Sequence, residues 1–469
     1  MKTATIYTSE ICSQKKFKPS FFLNDGKRNM VELKRNNHIV GVLGDIVEKV
    51  FRPGIFKRIF VEDNKYGKEY FTASNMLTTN PLMFAKYLSY KRTANLDYMS
   101  VRTHYILVSC AGTVGNIRLI DTRLDSSIAS QDIIRVVPKD DNWGFVYAFL
   151  CTSTIFSYIQ SLIYGSVVPR IEPNTISNIP LPRFTKEIQV QTNELMEDSA
   201  RLREEAANML SEAERLLKKG SDLHELVLED YDYYGPRNAE RKVSCFTVKR
   251  KDINTTTINA FNLSERIRKT KDSIVCKTKP LREVLLGGDT FSTGSFPRVE
   301  VKEGFGVMLI NQKDIFDNIV KGKYISKRGV KTDNLVEYGE ILIAGVGTLG
   351  ESETFCRAIF ANEDLVGQLV SGEFIRMKTN DEIPSGYLYA WLASDYGFRF
   401  LRNIQAGTKL CRPIPKLVLE LPVPILNKET MLKIDSIVKE AHTKRYEANN
   451  CERKAIRMVE QEIEKWNKH

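Results

Sequence analysis

Two stretches of this 469-residue chain carry a period of seven. Between 184 and 221, Leu195, Leu202, Met209 and Leu216 recur at that interval, with Ala206 and Ala213 four residues after two of them. This spacing lays an apolar stripe along one helix face. The stretch closes on Lys218, Lys219 and Gly220, a basic last turn followed by a glycine stop. Between 427 and 469, Ile434, Ala441, Ala448 and Ala455 repeat with the same period. An alanine seam lets a second helix come close, and a Leu/Met seam fills the space it leaves. The pattern therefore predicts that the two helices pair, antiparallel if the segments are related by a pseudo-twofold. Two amphipathic helices, each packed on its own domain, are the other arrangement it allows. A helix over 187–219 would run about 50 Å at about 1.5 Å per residue.

Ahead of each helix the period changes. Short β-rich runs such as "HYILVSCAGTVGNIRLI", "GEILIAGVG" and "ETFCRAIF" are separated by Gly, Asn and charged turns, which predicts mixed α/β domains of the α+β class. These regions are copies of one another. Gly165, Arg170, Pro173, Pro180 and Pro182 fall on Gly407, Arg412, Pro415, Pro422 and Pro424 at a constant offset of 242. "YAFLCTSTIF" from Tyr147 falls on "YAWLASDYGF" from Tyr389 at the same offset, "SQDIIRV" from Ser130 on "SGEFIRM" from Ser371, and "FKPSFFLND" echoes "INAFNLSER". The offset drifts between 235 and 242 along the chain, as loop insertions in a duplication would produce. The expected organisation is a first domain over 1–183, a helix over 184–221, an acidic and aromatic connector over 222–244, a second domain over 245–426 and a second helix over 427–469.

Composition adds a partner. The formal net charge is +11, and the two helical segments contribute only −1 and +2 of it, so the excess belongs to the repeated domains. An anionic partner such as nucleic acid fits that bias. Hydrophobic residues at 42% can bury real cores. The eight cysteines stand far apart, without zinc-ligand spacing, and read as buried thiols in a reducing compartment. No run approaches the ~18 apolar residues of a membrane span, and the N-terminus has no apolar signal core. A cytoplasmic protein without a membrane is expected.

Catalytic motifs do not accumulate. Gly345, Gly347 and Gly350 in "IAGVGTLGES" have the G-x-G-x-x-G spacing of a dinucleotide turn, but the following "ESETFCRAIF" is too short and too β-rich for the helix that would hold a pyrophosphate. In the first copy only Gly112 and Gly115, in "CAGTVG", match the last two of these glycines. A tight strand-to-strand turn explains both copies, with glycine supplying positive φ where a side chain would clash. There is no phosphate loop, H-E-x-x-H or nucleophile elbow. "TNPLMF" at Asn80-Pro81 lacks the second proline of a methyltransferase tetrapeptide, and the five histidines do not cluster. Asp132 and Glu373 align between copies and read as structural acceptors. No cofactor, no metal and no catalytic residue are expected.

What recurs in both copies is basic residues beside aromatics in loop-like places. In the first copy these are Arg52, Lys57 and Arg58 in "FRPGIFKRIF", Tyr90, Lys91 and Arg92 in "YLSYKRT", and Tyr164 and Arg170 in "YGSVVPR". In the second they are Arg298 in "STGSFPR", Lys327, Arg328 and Lys331 in "YISKRGVK", and Lys409 and Arg412 in "AGTKLCR". Arg and Lys can hold phosphates, bidentate Arg can read guanine edges, and Tyr can pack on sugars or bases.

With these residues in place, the chain resembles, over nearly its whole length, the specificity subunits of type I restriction-modification systems. The resemblance is carried by the "TGSFP" turn from Thr293, "YISKRG" from Tyr324 and "GEILIAGVGTLG" from Gly339. It is also carried by the closing G-x-x-x-x-R followed by "IPLP" (179–182) and "LPVP" (421–424) before each helix. The first copy departs from it, with "RPGIFKR" where the second has its turn. The resemblance implies two target recognition domains, each reading one half of a bipartite double-stranded DNA site in the major groove. It implies that the helix pair acts as a ruler for the spacer and docks two modification subunits bearing the methyltransferase chemistry, with restriction subunits joining through them. The chain itself would then be a non-catalytic subunit. A spacer of about 50 Å corresponds to roughly 15 base pairs. A specificity protein of a related restriction or phage-defence complex, with the same DNA role and different partners, is the alternative.

Overall fold

A computed structural model describes residues 6, 8, 11–12, 19–61, 64–139, 141–165, 167–226, 246–250, 253, 256–263, 271–350 and 353–467. Most of the expected connector lies outside the described residues. The chain forms two compact units, Met1–Glu204 with Glu447–His469, and Glu205–Tyr446. This division differs from the boundaries read along the sequence, because each long helix gives one half to each unit.

In the first unit, helix α1 (Asp25–Arg35) starts where the Asn24 side chain accepts from Lys27 N at 2.9 Å, a capping contact. Strands β1 (Ile39–Val42), β2 (Val47–Phe51), β3 (Phe60–Val61), β4 (Gly67–Phe71), β5 (Lys86–Ser89), β6 (Ile106–Ser109), β7 (Ile117–Leu119), β8 (Ile128–Ala129) and β9 (Ile133–Pro138) follow. Next come helices α2 (Trp143–Cys151) and α3 (Ser153–Leu162), then β10 (Pro180–Pro182) and the long α4 (Lys186–Gly220). One sheet has the order β2-β9-β6-β7, a second β3-β5-β4-β8, and β1 pairs with β10. Helix α2 is apolar on nearly every side, and all of it but Cys151 is buried, as a helix without a polar face must be.

The second unit repeats this plan with β11 (Thr278–Pro280), β12 (Gly306–Ile310), β13 (Lys323–Ser326), β14 (Ile341–Ala344), β15 (Ala358–Phe360), β16 (Leu369–Val370) and β17 (Phe374–Met377). Helices α5 (Ser385–Ala393) and α6 (Asp395–Asn403), strands β18 (Gln405–Ala406), β19 (Arg412–Pro413) and β20 (Pro422–Pro424), and helix α7 (Lys428–Asn467) complete it. The order β15-β14-β17 matches β7-β6-β9, and β13-β12-β16 matches β5-β4-β8. Even the parallel pairs agree, β4 with β8 and β12 with β16. The duplication seen in sequence is therefore a duplication of fold.

Two buried arginines close equivalent seams. Arg135 donates to the carbonyls of Ser130 (2.9 Å) and Met99 (3.1 Å), and also to those of Ile133 and Ala129. Arg376 meets the Glu340 carboxylate at 2.8 and 2.9 Å and the carbonyls of Asn334 and Leu335. Burying a guanidinium is tolerable only with most of its donors engaged; both terminal nitrogens of each arginine are, while Arg135 Nε is buried without a partner among the described residues, so these two belong to the frame and not to a ligand surface.

The long helices carry equivalent docking contacts. In the first unit Asn193 Oδ1 on α4 accepts from Gly144 N at the start of α2, at 2.8 Å. In the second, Asp435 Oδ1 on α7 accepts from Gly386 N at the start of α5, also at 2.8 Å. A Cβ at either glycine would stand 2.7 Å from that oxygen, so the close approach requires glycine. Inside each unit the halves of α4 and α7 run antiparallel. In the first, Phe184 meets Trp466 with ring centroids 5.1 Å apart, and Ser199 Oγ donates to Ala448 O at 2.8 Å. In the second, Lys444 pairs with Glu205 at 2.8 Å.

Ile434, Ala441, Ala448 and Ala455 are all fully buried on α7. On α4 the buried register is Thr192, Met196, Ser199, Ala206, Ala213 and Leu217. Leu195, Leu202, Met209 and Leu216 are only half-buried and lie beside it. Most of that register is small or hydroxyl-bearing, with Met196 and Leu217 its larger members, and the heptad Leu and Met residues flank it.

The first unit also buries a polar knot. Arg203 reaches Glu452 at 2.6 Å and Asn449 Oδ1 at 2.8 Å, and Tyr147 Oη donates to Glu452 at 2.8 Å. Burial alone would push the Arg203 guanidinium down, but Glu452 more than offsets this and holds it above its usual value. Burial, with Cys151 and Glu452 nearby, raises the Tyr147 phenol well above its ordinary range. Among the described residues no single helix is long and apolar enough to cross a membrane.

Candidate nucleic-acid interface

The basic residues are placed by strand ends. In the first unit β3 pairs with β5, with Phe60 opposite Leu88, and the pairing extends to Ser89 N donating to Ile59 O at 2.9 Å. Arg58 thereby enters the sheet edge where Tyr90, Lys91 and Arg92 leave it. In the second unit Glu300 stands opposite Ile325, and Ser326 N donates to Val299 O at 2.9 Å. Arg298 and the pair Lys327, Arg328 thus occupy the positions of Arg58 and of Tyr90, Lys91. The departure of "RPGIFKR" from the second copy's turn is a difference in the approach to the strand, and the chain reaches the same point by another route.

Arg58, Lys91, Arg92, Arg298, Lys327 and Arg328 are all exposed. Arg58 donates to Tyr70 Oη at 3.4 Å, and Arg298 lies over the Phe296 ring at 5.8 Å. Gly329 has φ +80°, and a Cβ there would stand 3.0 Å from Pro297, so the "SKRG" turn is held against "SFPR". Phe296, Val330 and Leu335 pack on the small core behind them. Lys57 and Lys331 are exposed on connecting turns outside the paired ends.

A second pair of equivalent loops sits beside the glycine turns. Gly165 and Gly407 have φ +89° and +105°, and Cβ atoms there would strike Val168 O and Leu410 O at 2.5 and 2.6 Å. Tyr164 and Arg170 bridge across the first loop, and Ala406 pairs with Arg412 across the second. Arg170, Lys409 and Arg412 are exposed at these tips. Gly112 N donates to Pro169 O at 3.1 Å, and Gly347 N to Cys411 O at 3.2 Å. The shared G-T-x-G is therefore a strand-turn-strand element, β6 to β7 and β14 to β15, that supports the basic hairpin.

The conformations of those glycines differ from expectation in the second copy. Gly112 and Gly115 have φ +73° and +92°, but none of Gly345, Gly347 and Gly350 lies in that region. There the requirement is space. A Cβ at Gly345 would stand 2.6 Å from Glu373 O, and one at Gly347 would stand 3.0 Å from Phe355.

Arg52 stands apart from the other cations. It pairs with Glu172 at 3.0 Å, and Tyr164 Oη donates to the same carboxylate. That hydrogen bond raises the Tyr164 phenol above its ordinary value. Arg52 is already neutralised within the unit, whereas Lys327 and Arg328 form no ion pair among the described residues.

Two aromatic rings at the same strand ends escaped the sequence reading. Tyr66 N-terminally abuts Gly67, which pairs with Ser89, and Tyr90 N donates to Tyr66 O at 3.0 Å. Phe305 abuts Gly306, which pairs with Ser326. The two rings are 59% and 75% exposed. The local sequences "NKYGK" and "EGFGV" share only the glycine, which is why repeat alignment did not bring the rings together.

Comparison with known proteins bears on the first copy directly. Residues 40–208 match the family model described as type I restriction modification DNA specificity domain. No curated protein matches. Among solved structures, the chain is similar to a type I restriction-modification system S subunit from M. genitalium, with 16% identity over 92% of this chain and 97% of that one and a TM-score of 0.35. It is also similar to the HsdS subunit from Thermoanaerobacter tengcongensis, with 14% identity over 90% and 95% and a TM-score of 0.26.

Proposed function

We propose that this chain, which carries a type I restriction-modification DNA specificity domain, is the sequence-recognition subunit of a type I restriction-modification complex. Each unit reads one half of a bipartite duplex site. The paired helices α4 and α7 set the spacer and dock two modification subunits, which supply methyltransferase chemistry, and restriction subunits join through them.

The observation that carries this reading is the equivalence of the basic strand ends. Ser89 N to Ile59 O in one copy and Ser326 N to Val299 O in the other hold Arg58 with Lys91 and Arg92, and Arg298 with Lys327 and Arg328. Lysines at such ends position the backbone through phosphates, and arginines add bidentate contacts to guanine edges. Arg170 and Arg412, on equivalent hairpins, offer a second contact in each unit. The side chains of this chain bind and orient DNA, and the reaction belongs to the partners.

Co-expression with its modification subunit in a host free of DNA methylation tests this. Methylome sequencing should show adenine methylation at one motif made of two short parts separated by a fixed gap. Methylation at an uninterrupted motif, or none, would count against the reading.

A further inference from the structure

We infer that Tyr66 and Phe305 are specificity-determining residues, each making an apolar contact with the 5-methyl group of a thymine in the half-site met by its own unit. The inference rests on the reading that these strand ends face duplex DNA, and it adds residues that the basic loops do not include.

The two rings are equivalent by register. Gly67 opposite Ser89 carries Tyr66 opposite Tyr90, and Gly306 opposite Ser326 carries Phe305 opposite Lys327. The glycines are themselves constrained: a Cβ at Gly67 would stand 2.8 Å from Leu88 O, and one at Gly306 would stand 2.2 Å from Ile325 O. The chain is thus pinned at the residue after each ring, and the ring is delivered beside the basic turn.

Single exposed aromatics are ordinary on a protein surface. Two in matched positions, in copies whose local sequences have otherwise diverged, are not explained by packing, since neither ring belongs to a core. The surrounding charge suits DNA. Lys65 lies over the Tyr66 ring at 5.7 Å, with Tyr90, Lys91 and Arg92 across the strand pair, and Phe305 stands opposite Lys327 by register, with Arg328 next along the chain. The carboxylates near Phe305 are engaged, Glu300 by Lys323 at 2.5 Å and Glu303 by Tyr324 Oη at 2.9 Å.

Phosphate contacts do not need an aromatic ring, and Phe305 has no hydrogen-bonding group to offer. What it can distinguish in the major groove is the thymine methyl, the one apolar feature displayed there. Tyr66 presents the same ring with a hydroxyl at its tip.

The test uses the full chain with a co-expressed methyltransferase partner, selected against a randomised duplex pool. Phe305→Ala should reduce a preference of about tenfold to less than about twofold at one base pair of one half-site, leaving the other half-site unchanged. Tyr66→Ala should do the same in the other half. Replacing that thymine by uracil should weaken the parent about fourfold, the worth of one buried methyl, and leave Phe305→Ala unaffected. Identical motifs for parent and variants would overturn the inference, as would an altered motif with no effect of uracil. Loss of binding to every sequence by both Phe305→Ala and Phe305→Leu, with unchanged thermal unfolding, would make the ring a general affinity element and also overturn it. If the parent itself selects no motif, the recognition reading fails, and the inference fails with it.

Discussion

The sharpest test of the basic strand ends lies in the salt dependence of DNA binding. Each phosphate neutralised by a protein cation contributes about 0.9 to the slope of log K against log salt. Arg298, Lys327 and Arg328 are exposed at one strand end, and the two cations of the "SKRG" turn are free of ion pairs among the described residues. Replacing all three by alanine should therefore reduce the slope by up to about 2.7. Between about 50 and 200 mM salt, that difference means the parent loses roughly forty-fold more affinity than the variant. Fluorescence anisotropy with a labelled duplex of arbitrary sequence measures it, since this component carries no sequence information. Arg52→Ala is the internal control. Its guanidinium is held by Glu172 at 3.0 Å, so its removal should leave the slope within about 0.5 of the parent. A triple variant with an unchanged slope, or an Arg52 variant that shifts it as much as a strand-end arginine does, would refute the reasoning.

Two further predictions concern the frame. Glu452→Ala should destabilise the chain by about 3 kcal/mol in denaturant titration, because it leaves Arg203 buried with only Asn449 and removes the acceptor of Tyr147. Replacing Arg203 and Glu452 together by methionine should cost far less, and equal costs would show that the pair is not coupled. His442 is buried against the Phe360 and Tyr389 rings, at 4.9 and 5.2 Å between centroids, with Arg445 nearby. Burial first, and then Arg445, hold its imidazole well below the ordinary 6.5. The unfolded chain therefore binds the proton first, and stability should fall as pH drops through about 6.5, at up to about 1.4 kcal/mol per pH unit. His442→Leu should flatten the dependence by about one proton, with His104, lowered chiefly by burial in the other unit, left to contribute in the same direction. An unchanged slope would place the His442 imidazole in water.

The duplication, the two long helices and their small-residue seam were legible in the sequence because repetition and period survive without geometry. Alignment at an offset of 242 even paired Gly165 with Gly407, and both prove to be left-handed hairpin glycines. What stayed hidden depended on contacts between distant positions. Arg52 reads like its neighbours until Glu172, 120 residues later, is found against it. Arg135 and Arg376 lie in aligned segments, yet nothing in "IIRV" or "FIRM" marks a guanidinium as buried. On α4 the heptad of Leu195, Leu202, Met209 and Leu216 lies three residues from the buried heptad Thr192, Ser199, Ala206 and Ala213, since apolar size marks the leucine stripe whereas burial against α7 selects small and hydroxyl side chains. Tyr66 and Phe305 became comparable only through strand register.

The composition of the first unit has a consequence for synthesis. Its core includes Ala455, Val459 and Ile463 from the far end of α7, and Glu452 completes the knot around Arg203. A ribosome delivers residues 19–204 long before it delivers 447–467, so the N-terminal unit must wait, incompletely buried, until the whole intervening unit has been made. Nascent chains stalled before residue 447 should therefore expose this core to proteases and chaperones, and a premature stop there would damage the half of the molecule translated first.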